Sequence, residues 1–206
     1  MRSRPVFFSP EWVFLALGLL AGALLCVFVP FGAGFDEETH LVRVYDLAGL
    51  HLLPNRSQNG GSFAPGEFFA LSYQRRALLT PAQDLFAPDA FNQTIDRANP
   101  TLVQTRSIYP PPGLAAQAVL ARLIWLKYDL PVVPGTILLR LAGLLVYLAG
   151  TWLAIRCLPF GKWGLVTLAL APMALFAAAT VNTDGFNNAL SFLFVALVLR
   201  SAVEKT

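Results

Sequence analysis

The chain has few of the residues from which soluble catalytic sites are built. Among its 206 residues there are two cysteines and two histidines, and only 13% are Asp, Glu, Lys or Arg. Two cysteines are too few for a metal cluster. Cys26 lies inside an apolar run and Cys157 beside Arg156, so no disulfide is expected. With only His40 and His51, a histidine-rich metal site is excluded. There is no phosphate-cradling Gly-rich loop, no nucleophile elbow and no paired zinc-protease histidines.

Apolar sequence is abundant. Hydrophobic residues make up 56% of the chain and the mean hydropathy is +0.58, values of a multi-spanning membrane protein. The net charge of +3 and pI near 9.1 reflect Lys and Arg beside the spans rather than nucleic-acid binding. The first apolar run, residues 12–29, is long enough to cross a bilayer core of about 30 Å. Met1-Arg2-Ser3-Arg4 precedes it, and residues 30–35 offer no small-residue cleavage site, so the run reads as an uncleaved first span. Residues 137–155, 163–179 and 186–199 are the other candidate spans.

The stretch 113–126 sets the topology. It is short, carries Gln117 and Arg122, and is followed by Lys127. If it lies along the surface, Arg2 and Arg4, the connection 156–162 and the tail with Arg200 and Lys205 all fall on the cytoplasmic side, as the positive-inside bias prefers. The alternative is a tilted span. The surface reading predicts an all-α, four-span protein with a cytoplasmic N-terminus. Residues 31–135 then form one outer loop with juxtamembrane helices, and residues 136–206 hold the second to fourth spans.

Within that loop, residues 36–50 place Leu41, Val44, Tyr45 and Ala48 on one helix face, with Asp36 or Thr39 as cap and Gly49 as stop. Residues 55–61 read as a connector. Thr80-Pro81 reads as a helix start, and Pro110-Pro111-Pro112-Gly113 as a stiff extended stop.

The same topology gathers ionisable groups on the outer side. Phe35-Asp36-Glu37-Glu38-Thr39-His40 follows the first span, Arg140 opens the second, and Asn182-Thr183-Asp184 joins the third to the fourth. Charged groups at that depth are candidate functional residues. Arg140 suits bidentate contact with a phosphate, and a carboxylate suits general-base work on a hydroxyl. Each also has a plainer reading: the acidic residues cap a helix, Arg140 reaches headgroups, Asp184 is an N-cap, and His40 is an interface residue. Glu37 and His40 are three apart and share a helix face, a weak signal for one divalent ion.

The DEETH motif with Arg43 and Tyr45, then Tyr109-Pro110-Pro111, Arg140-Leu141, Ala171-Pro172-Met173 and Val181-Asn182-Thr183-Asp184, resembles a bacterial family of polytopic membrane proteins, domain of unknown function 2142. The resemblance covers nearly all of this chain but only the N-terminal part of that family. The family in turn is similar to the C-type glycosyltransferases. That similarity implies an inner-membrane enzyme, a polyprenyl-phosphate sugar donor and transfer to a cell-envelope acceptor on the outer face. It makes Asp36 the candidate base, with Glu37 beside it, and Arg140 the donor-phosphate contact. His40, Asp184 and Asn182 become candidate substrate contacts. A divalent cation is left open as cofactor, and membrane lipid is the expected partner. The alternative function is a non-catalytic membrane scaffold or lipid-binding module.

Overall fold

The computed structural model describes residues 9–54, 61–73, 91–103 and 108–204. The proposed helix start at Thr80 and most of the connector 55–61 lie outside the described residues.

The described residues are all-α apart from one small strand pair. Helix α1 runs Pro10–Phe28 and α2 Glu37–Ala48. Strand β1, Ser62–Ala64, pairs antiparallel with β2, Thr101–Val103, with Ser62 opposite Val103. A single helical turn, α3, Glu67–Ala70, follows β1. After a 3-10 turn, Pro111–Leu114, comes α4, Ala115–Ala121, which widens into a π-helical turn over Arg122–Lys127. Then come α5, Val132–Cys157, α6, Lys162–Ala169, α7, Pro172–Ala178, and α8, Asp184–Val203.

Among the described residues three helices, α1, α5 and α8, are long and apolar enough to cross a membrane. At 26 residues α5 extends about 39 Å, so it overshoots a hydrocarbon core of about 30 Å. Its surplus forms part of the site described below.

α1 and α5 are antiparallel and pack through small residues. Phe14, Gly18, Gly22 and Cys26, four apart, form the buried stripe of α1. A Cβ on Gly22 would lie 2.5 Å from Leu144, and one on Gly18 2.7 Å from Leu148, so only glycine lets the helices approach this closely. Gly150 meets Ala189 in the same way between α5 and α8.

The expected third span is not one rod. It is the pair α6 and α7, broken at Leu170-Ala171. Pro172 lacks an N–H and forces Ala171 into extended backbone (φ −56°, ψ 140°). Tyr147 of α5 donates its hydroxyl to the carbonyl of Ala169 at the break, 2.7 Å away. Non-helical backbone at membrane depth persists where a neighbouring helix satisfies it.

The stretch 113–126 packs on α2 and on the first turns of α5. Arg122 donates to the last helical carbonyl of α2, that of Ala48, at 2.7 Å, where a cation also suits the helix dipole. Arg97 donates to the carbonyls of Trp125 and Leu126, which the π-turn leaves open. Trp125 is fully buried.

Helix α2 starts one residue after Asp36, with no side-chain cap from Asp36. Leu41, Val44 and Ala48 are buried as expected and Tyr45 half-buried. Gly49 is not left-handed; Leu50 takes the positive φ of 66° at the stop. The proline run is extended only at Pro110, because Pro111 already begins the 3-10 turn.

Candidate functional site

The end of α1, the first third of α5, the start of α2 and the link between α7 and α8 meet at one end of the bundle. The fastener is an ion pair between residues far apart in sequence. Glu37 and Arg140 are each 1% exposed. The Arg140 fork donates from Nε to Glu37 Oε1 at 2.7 Å and from Nη2 to Oε2 at 2.6 Å. Its other donors go to the carbonyls of Cys26, Val29 and Pro30 at 3.1, 2.6 and 3.0 Å. All five guanidinium hydrogens are therefore placed, and Arg140 caps the open carbonyls of α1.

Glu37 is equally saturated. Oε2 accepts from the backbone N–H of Gly32 at 3.1 Å, and Oε1 from that of Val181 at 3.0 Å. With the two Arg140 bonds, four acceptor positions are filled. One carboxylate thus ties the α1–α2 loop, α5 and the α7–α8 link together. A charge buried this deeply is stable only when so completely paired. No Glu37 lone pair remains for a metal ion, and no Arg140 hydrogen remains for a phosphate.

The neighbouring acid is different. Asp36 is exposed and non-glycine in left-handed backbone, φ 50° and ψ 23°. Asp tolerates this region, but the conformation is strained and is held by the clasp beside it. One turn on, His40 is 5% exposed and stacks on Tyr109, ring centres 4.0 Å apart. His40 Nδ1 is buried without a hydrogen-bond partner among the described residues. Burial holds its pKa below the ordinary histidine value, and the charges of Asp184, Asp36 and Glu37 pull against that shift. Burial raises the Tyr109 phenol, and Asp36 and Asp184 push the same way. Asp36, Asp184, His40 and Tyr109 therefore share one electrostatic neighbourhood.

Arg43, also fully buried, fixes that wall. It donates from Nε to the carbonyl of Tyr109 at 3.0 Å and from Nη1 to that of His51 at 3.2 Å. Asn182 is a structural knot. Its Oδ1 accepts from the N–H groups of Asp184 and Gly185 at 2.8 and 3.4 Å, capping α8. Its Nδ2 donates to Ala177 O and Thr180 Oγ1, each at 2.9 Å. Asp184 is the first residue of α8 and is exposed.

Among the described residues no three His, Cys, Asp or Glu side chains gather around one point. Tyr109, which stacks on His40, is a contributor that the charge pattern does not reveal; an aromatic directly before Pro-Pro is the signal it offers.

This architecture defines an all-α polytopic membrane protein with a charged clasp and an open carboxylate cluster at one end of its bundle. The chain belongs to the family described as predicted membrane protein (DUF2142), whose model matches residues 19–206. No curated protein and no solved structure matches it.

Proposed function

We propose that the protein is an inverting glycosyltransferase of the bacterial inner membrane, N-terminus in the cytoplasm. It moves a sugar from a polyprenyl-phosphate donor to a cell-envelope acceptor on the outer face. Asp36 is the general base. Its carboxylate takes the proton of the acceptor hydroxyl, and the acceptor oxygen attacks the anomeric carbon. The bond from that carbon to the phosphate oxygen breaks, and the polyprenyl phosphate leaves with the electron pair. Glu37 and Arg140 act as positioning residues. Their clasp holds Asp36 beside His40, Tyr109 and Asp184.

The observation that carries this reading is the contrast between adjacent acids. Glu37 has every acceptor position filled, while Asp36 stands exposed in strained backbone next to it. Strain of this kind clusters at functional sites.

The test is Asp36→Asn, assayed in membranes with a polyprenyl-phosphate sugar. Loss of general-base catalysis predicts a fall in transfer of about 10²–10⁴-fold with insertion and melting unchanged. An unchanged product profile would favour the scaffold reading, in which the clasp serves only to hold the spans together.

A further inference from the structure

The clasp and the open carboxylates lie at one end of the bundle, and a second charged surface lies at the other. There α1 begins, α5 ends and α6 begins. Arg156, in the last turn of α5, is exposed and holds its guanidinium over the Trp152 ring, 4.8 Å from its centre. Trp152 in turn meets Trp12 of α1 edge to face, with ring centres 5.9 Å apart. Lys162, the first residue of α6, donates from Nζ to the carbonyl of Arg156 at 3.2 Å, which brings the second cation to the root of the first. Phe160 and Trp163, on either side of Lys162, are exposed. A Cβ on Gly161 or Gly164 would meet nothing within 4 Å, so the surface around Lys162 is open.

Negative charge is scarce at this end. No Asp or Glu occurs between Asp129 and Asp184. Among the described residues the ion pairs belong to Arg97, Arg140 and Arg200, so Arg156 and Lys162 have no carboxylate partner. Glu204 is taken by Arg200 at 2.7 Å, and Glu11, in the first turn of α1, pairs with neither cation.

Two features choose the ligand. Two cations without a carboxylate call for an anion, and a guanidinium stacked on an indole keeps its N–H edge free for phosphate oxygens. Trp12, Phe160 and Trp163 put exposed aromatic surface beside those cations where α1 and α5 end, the depth at which tryptophan meets headgroups. A soluble anion would leave that surface in water, whereas a phospholipid covers it with acyl chains. A zwitterionic headgroup returns an ammonium to the cations, so a net negative one is preferred.

We infer that this end of the bundle binds the phosphate of an anionic phospholipid, held by Arg156 and Lys162. The site is independent of the transferase reading, because it lies at the opposite end from Asp36.

The test titrates the full chain in neutral detergent with brominated phosphatidylglycerol or brominated phosphatidylethanolamine and reads tryptophan fluorescence, which bromine quenches on contact. Three of the four tryptophans, Trp12, Trp152 and Trp163, lie at this end, and Trp125 is fully buried at the other. Saturable quenching by phosphatidylglycerol at lower concentration than by phosphatidylethanolamine is expected. Arg156→Gln and Lys162→Gln should each weaken phosphatidylglycerol binding about fivefold, and the double variant about 25-fold, with the helical circular-dichroism signal retained. Lys127→Gln, which removes an exposed charge at the opposite end, should bind like wild type. Equal quenching by the two lipids, a double variant that binds like wild type, or an equal loss in Lys127→Gln would overturn the assignment. Displacement of the lipid by millimolar inorganic phosphate would overturn it too, since the site would then belong to a soluble phosphate.

Discussion

Helices α1 and α8 of the spanning bundle and the unit built on α2 and α4 bury opposite kinds of residue, while α5 between them buries Leu144, Tyr147 and Leu148. In the bundle, α1 buries glycine and cysteine beside Phe14 and turns Leu17, Leu20, Leu24 and Phe28 outward. α8 does the same, burying Gly185, Ala189 and Ala196 and exposing Leu190, Phe194 and Val198. In the unit around α2, large side chains go inside: Phe68, Trp125, Leu41 and Leu114 are fully buried. Phe68 packs on Trp125 and Tyr45 at ring separations of 5.2 and 6.0 Å. Lipid gives no reward for hiding a leucine, so small residues on α1 and α8 let both helices seat closely on the larger side chains of α5. Water does reward it, and the α2 unit follows the ordinary rule. The Glu37–Arg140 clasp joins these two regions.

Arg140→Leu attacks that clasp and carries the largest expected effect. It strands a buried Glu37 and uncaps α1, a loss of about 3–5 kcal/mol. Thermal or denaturant unfolding in detergent would register it, and a shift near zero would mean that the clasp does not hold the halves together. Phe68→Ala probes the water-rule core alone. Truncating a fully buried phenylalanine predicts about 3–5 kcal/mol, toward the lower end here because the unit is small. Gly22→Ala probes the lipid-rule packing. Here adding one methyl destabilises, by about 1–3 kcal/mol, because it collides with Leu144. If Gly22→Ala stabilised the protein, the contrast between the regions would fail. The smallest effect is a pH dependence. His40 has a lowered pKa in the fold, so as pH falls below 6.5 the unfolded chain takes up the proton first. Stability is full above that value and declines on acidification toward the folded pKa. Melting between pH 7.5 and 5.5 should show this slope, and His40→Gln should flatten it; equal slopes would exclude His40 as its source.

Much of the frame was legible in the sequence, and the reasons mark where legibility ends. Helix α1 and the buried face of α2 follow from local periodicity. The gathering of Asp36 and Asp184 followed from the charges on the flanks of the apolar runs. Pro172 was visible, but the run 163–179 is apolar enough to mask the break it makes. The stripe of Gly18, Gly22 and Cys26 was also there to be read; its meaning depends on Leu144 and Leu148, which lie over a hundred residues away. Glu37 and Arg140 could not be paired from sequence for the same reason. The roles of adjacent Asp36 and Glu37 separate only once their surroundings are known. Two strands of three residues are too short to leave a pattern.

The claim on which the rest depends is that Asp36 and Asp184 sit at the same end of the bundle, opposite Cys157. A membrane-impermeant maleimide tests it in sealed vesicles of known orientation. Single cysteines at positions 36 and 184, each in a cysteine-free background, should react from one side, and native Cys157, as the sole cysteine, from the other. Labelling of 36 and 184 from opposite sides would contradict the account outright.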